Sequence, residues 1–126
     1  KGMIRVPHDQ NNALWVLCLR CSAHCLGDFV FQSEFMALGK NPVKPLPGTP
    51  FWWPLTAHSW VHATLVLIVM GSWPAALLEL VSHWLIDYGK CRGKFNDFGP
   101  FKEISAFTVD QSLHLLIMVL IFDLFF

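Results

Sequence analysis

Four stretches of this chain are apolar over a length that matches a bilayer, and that feature limits the fold more than any other. They run approximately over residues 12–38, 54–70, 74–91 and 104–126. Crossing the hydrocarbon core takes about 20 mainly apolar residues, with a range of roughly 17–25. The third stretch is the shortest and holds Glu79. Only 14% of the residues are charged and mean hydropathy is +0.45, whereas soluble domains carry about 25% charge. A soluble helical bundle is the alternative, but Leu, Val, Ile and Trp occur all round these segments rather than on one stripe. The expectation is a single all-α domain over residues 1–126, a polytopic membrane four-helix bundle running up-down-up-down. The first stretch follows a polar lead through Asn12 and is long, so it reads as a retained span rather than a cleaved leader.

The connections support this. Pro42, Pro45, Pro47 and Pro50 keep the segment from Asn41 to Trp53 out of a helix. Gly71-Ser72-Trp73-Pro74 reads as a tight hairpin whose proline opens the next helix. Trp52, Trp53, Trp60, Trp73 and Trp84 fall near segment ends, as an aromatic belt does. Lys40 and Lys44 lie between the first two spans, and Lys90, Arg92, Lys94 and Lys102 between the last two. The hairpin has no such charge. The two long loops are therefore expected in the cytoplasm and both termini outside, although Lys1 and Arg5 pull the other way. Net charge is zero with no long basic run, so no nucleic-acid partner is expected. Oligomeric state is open.

Cys18, Cys21 and Cys25 share one helix face, and Cys91 stands apart. A lone Cys-x2-Cys does not complete a four-thiolate zinc site. These cysteines are expected to pack between helices as small polarizable residues, with no disulfide framework.

The chemistry lies elsewhere. Each stretch contains two metal-ligand residues four positions apart: His24 and Asp28, His58 and His62, His83 and Asp87, Asp110 and His114. Four residues is about one helical turn, so each pair projects from one face. In an up-down-up-down bundle all four pairs fall in the halves next to the two long loops and can meet at one depth. Imidazole and carboxylate inside a membrane helix are costly unless they pair, line a cavity or bind an ion. The expectation is a divalent metal centre, two ions held by eight ligands, with zinc first and manganese or iron as alternatives. For any single pair taken alone, a His–Asp hydrogen-bond network joining the helices is the better reading; four complete pairs exceed what helix association needs. Gln32 and Gln111 are candidates to support the ligands. Arg20 is one turn before His24, facing the site or pairing with Glu79. Glu34, Asp97 and Asp123 read as interfacial charges.

The runs His24–Gln32, His83–Lys90 and Asp110–His114 (HCLGDFVFQ, HWLIDYGK and DQSLH) resemble the domain-of-unknown-function family numbered 3307, membrane proteins of bacteria and their phages. The likeness extends from about Leu17 to Leu120 and implies a bacterial inner-membrane location, but it carries no activity. More distantly, the His-x3-Asp helices resemble membrane-bound metal-dependent hydrolases and zinc-dependent phospholipases C. That likeness implies phosphoester chemistry on a lipid or lipid-phosphate substrate. The ions would activate water and polarise phosphoryl oxygens, with Asp28 or Asp87 as general base. Lys90 would receive a phosphate, or simply snorkel to the interface. The rival expectations are a metal carrier or sensor, and a non-enzymatic, phage-type interaction protein whose metal is a structural staple.

Overall fold

A computed structural model describes residues 10–93 and 102–126, with side chains described over 12–93 and 106–126. Lys1, Arg5, His8, Lys94 and Asp97 lie outside the described residues, as does the side chain of Lys102. The described chain is helical: α1 (Gln10–Cys25), a π-helical segment (Leu26–Val30), α2 (Glu34–Gly39), α3 (Trp52–Met70), α4 (Trp73–Cys91) and α5 (Lys102–Phe125).

Local chemistry accounts for the breaks. The first apolar stretch, expected as one span to Leu38, instead widens into the π segment, where Phe31 N–H bonds the Leu26 carbonyl at 2.8 Å. It then stops, and Ser33 restarts the chain by accepting the Met36 N–H with its hydroxyl. Asn41 accepts the backbone N–H groups of Val43 and Lys44, which closes the turn into the Pro-rich loop. At the hairpin, Gly71 takes the left-handed conformation (φ 62°) that ends α3, and Ser72 caps α4 with Pro74 in its first turn.

α3 and α4 fold back on each other and share the largest helix–helix contact. α5 packs on α4, and α1 and α2 pack on α3. α1 meets α5 only lightly, so the ring of helices is loosest along that seam. Three helices are long and apolar enough to cross a membrane: Asn12–Val30, Trp52–Met70 and Ala106–Phe125. α4 is as long as α3, but it carries Glu79, Asp87 and Lys90 and is not among them. Four apolar spans were expected; the third is instead a helix whose polar groups face the other helices.

The interior is the more polar part. Among the described residues, ten polar or charged side chains are buried against eight hydrophobic ones, while Leu, Ile, Val, Phe and Trp are exposed along every long helix. Such an inversion suits lipid, not water. The cysteines of α1 are exposed rather than packed between helices, because Arg20, Ala23 and Gly27 take the inward positions. Trp52, Trp53 and Trp73 stand exposed at helix starts. Trp60, also exposed, and Trp84, half-buried, lie midway along α3 and α4 rather than at their ends.

Candidate metal centre

All eight paired residues converge. α3 contributes His58 and His62, α4 His83 and Asp87, α5 Asp110 and His114, and α1 with its π segment His24 and Asp28. Asp28 Oδ1 lies 2.9 Å from His62 Nε2, 3.3 Å from His58 Nε2 and 3.8 Å from His83 Nε2. Asp28 Oδ2 lies 3.2 Å from His24 Nε2 and accepts the Gln111 amide at 3.0 Å. Asp87 Oδ2 lies 3.3 Å from His58 Nε2, and Asp87 Oδ1 lies 3.2 Å from His114 Nε2. The Nε2 atoms of His58 and His83 are only 3.1 Å apart.

The imidazoles are ordered as well as close. His83 is stacked between His62 (centroids 3.7 Å) and His114 (4.2 Å). Three overlapping groups have donor atoms all within 4.8 Å of one another: Asp28, His58, His62 and His83; His83, Asp87 and His114; and His24, His62, Glu79 and His83. His83 is common to all three. The first group supplies three imidazoles and a carboxylate, a donor set suited to zinc.

The π segment matters to this arrangement. Asp28 lies within it, and such widened turns occur often at functional sites. Gly27, beside it, lies against α3: a Cβ there would meet the His62 ring at 2.5 Å. Only glycine lets that imidazole reach Asp28.

The supporting residues have defined partners. Gln111 bonds Asp28 and Asp110 with its amide NH2, and its Oε1 is 3.3 Å from His24 Nε2. Gln32 donates to the Asp28 carbonyl at 3.1 Å. Arg20 pairs with Glu79 at 3.4 Å. Lys90 donates to Asp110 at 3.0 Å, and its side chain is 35% exposed. Glu34 and Asp123 are exposed.

Two buried charges were not assigned to the site by sequence. Lys40, counted as a cytoplasmic loop charge, turns inward at the end of α2 and donates to Asp87 Oδ2 and Gln32 Oε1, each at 2.6 Å. Nothing in local spacing signals this, because Lys40 arrives only after the break at Ser33. Glu79 had a signal: it precedes His83 by the same four residues that separate His83 from Asp87. Its Oε1 lies 3.5 Å from His83 Nδ1. Beside it a cavity of about 10 Å³, near the size of one water, is lined by Arg20, His24, His62 and Glu79.

Four buried polar atoms make no hydrogen bond among the described residues: Arg20 Nε, His58 Nδ1, His83 Nδ1 and Asp110 Oδ1. Such atoms are costly in a low-dielectric interior. The cluster as it stands is therefore not a finished hydrogen-bond network; it can hold a metal ion.

No curated protein and no solved structure matches the chain. The model of one family matches residues 16–126, nearly the whole length and all four ligand pairs. The chain therefore belongs to the family described as protein of unknown function DUF3307.

Proposed function

We propose that this chain is a membrane-embedded, metal-dependent hydrolase acting on a lipid-linked or membrane-proximal phosphoester. The observation that supports it most is the convergence of Asp28, His58, His62 and His83, with Asp28 partly exposed. His24 and Asp28 keep 15% and 11% side-chain exposure, whereas His58 and His83 have none. A head group would enter from the side where the first two are exposed.

In this reading zinc is the first candidate metal, with manganese and iron behind it. A metal held by His58, His62 and His83 would lower the pKa of a bound water and polarise the phosphoryl group. Asp28, serving as general base rather than as a ligand, would take the proton of the attacking water and return it to the leaving alcohol as the P–O bond breaks. Asp87, held by Lys40, is the weaker candidate for that role. Lys90 is the cation nearest the surface and binds a phosphate oxygen. The chain runs up-down-up-down in a bacterial inner membrane, long loops cytoplasmic and termini outside. With Lys40 turned inward, that orientation rests on Lys44, Lys90, Arg92, Lys94 and Lys102.

Complete burial of His58 and His83 favours one second reading, a closed structural metal in a non-enzymatic interaction protein. Elemental analysis of detergent-purified protein beside the His58→Ala/His62→Ala variant, joined to phosphate release from phosphorylated lipids, separates the two. Metal lost in the variant together with metal-dependent release is the expected result. Metal without hydrolysis of any such lipid would leave the structural reading. Protein that stays metal-free after reconstitution would sink both.

A further inference from the structure

The cluster was expected from its ligand count to hold two ions, but its buried charges argue otherwise. Asp28, Glu79, Asp87 and Asp110 bring four carboxylates to the core. Arg20, Lys40 and Lys90 meet three of them as cations, at 3.4, 2.6 and 3.0 Å. With neutral imidazoles one negative charge is left. One divalent ion reverses it to a single positive charge, which a hydroxide or a phosphate oxygen balances. A second ion would leave three positive charges in a medium where unbalanced charge is most expensive.

Geometry points to the same count. Among the described residues, no lysine contacts the group Asp28, His58, His62 and His83. The neighbouring group His83, Asp87 and His114 does: the Lys40 ammonium is already on Asp87 Oδ2 at 2.6 Å, steadied by Gln32 on its far side. Lys40 is 8% exposed, so it is not a surface residue that happens to touch the site. Beside this group Asp110 Oδ1, 3.4 Å from His114 Nε2, is buried and makes no hydrogen bond among the described residues. A donor for a further cation is thus present beside His114, and an ammonium holds the neighbouring Asp87 carboxylate.

Resting on the metal reading above, we infer that Lys40 is a built-in substitute for a second metal ion. The centre then holds one divalent ion, at His58, His62 and His83 beside Asp28, and Lys40 excludes another from Asp87 and His114.

The test is zinc stoichiometry in detergent-purified full-length protein after reconstitution and removal of loose metal. The wild type is expected to retain one equivalent and Lys40→Met two, a gain of metal on deleting a residue. Lys40→Arg, which keeps the cation, is expected to retain one. Two equivalents in the wild type would overturn the substitution while leaving the metal centre standing. One equivalent in a folded Lys40→Met variant would do the same. Because the wild-type count is decisive alone, the idea stays testable if Lys40→Met fails to fold. No zinc in any of the three would instead remove the metal reading, and this inference with it.

Discussion

Near the Gly71–Ser72 turn, α3 and α4 meet through Ala63, Val66, Ala75 and Ala76, with Ile121 of α5 against them. Farther along the same two helices the contact passes to His58, His62, His83 and Asp87, and the ring nitrogens of His58 and His83 come within 3.1 Å. The two ends bring helices together by different physics. Small side chains at the turn end let backbones approach and gain dispersion contacts, the usual adhesive between helices in lipid. At the loop end the chain buries groups that lipid cannot solvate, so every partner left unmade is a direct cost. The turn end should therefore yield gradually to substitution, and the loop end sharply.

Asp87→Ala should break the comparison open with the largest effect. It leaves the Lys40 ammonium and His114 without their carboxylate, and removing one partner of a buried pair costs about 3–5 kcal/mol. Thermal unfolding in detergent should fall steeply; a shift no larger than that of a turn-end variant would mean the polar end is not under such constraint. Gly27→Ala comes next. Its Cβ would meet the His62 ring at 2.5 Å, and overpacking of this kind costs about 1–3 kcal/mol. Metal affinity should drop with stability, since His62 must retreat from Asp28. Unchanged affinity would show that His62 is not a ligand.

At the turn end, Val66→Ala removes a side chain that is 3% exposed and should cost about 1–2 kcal/mol. Elemental analysis should find its metal content unchanged. Coupled loss of metal would mean the two ends are one cooperative unit. Lys90→Gln should have the smallest effect on stability, below about 1 kcal/mol, because its pair with Asp110 is screened at 35% exposure. Under the hydrolase reading its effect is expected on phosphoester turnover, with bound metal retained. Loss of metal here would assign Lys90 to holding Asp110 rather than substrate.

Much of the fold and most of the cluster were legible beforehand, for reasons tied to particular residues. Apolar length and the Gly71–Pro74 and Pro42–Pro50 segments mark where helices run and stop, since backbone constraint at Gly and Pro is local. The i, i+4 spacing of His24–Asp28, His58–His62, His83–Asp87 and Asp110–His114 is likewise a local property, as one helical turn carries both members to one face. Glu79 belonged to the same series, but a carboxylate in a short apolar stretch reads first as a weakness of the span. Its pairing with Arg20 was one of two alternatives left open.

What the amino-acid sequence determined by itself, then, is whatever depends on neighbours within a turn or two: helical class, polar pairs, hairpin and Pro-rich loop. Only the tertiary structure decided that the first stretch breaks at the π segment, that Gly27 is the gap through which His62 enters, and that α4 buries its charges against the other helices. It also turned Lys40 from a loop charge into the partner of Asp87, 47 residues away. The physical reason is the same in each case. Close approach and charge pairing between distant segments are energies of contact, and contact depends on where the chain returns rather than on what lies beside a residue in sequence.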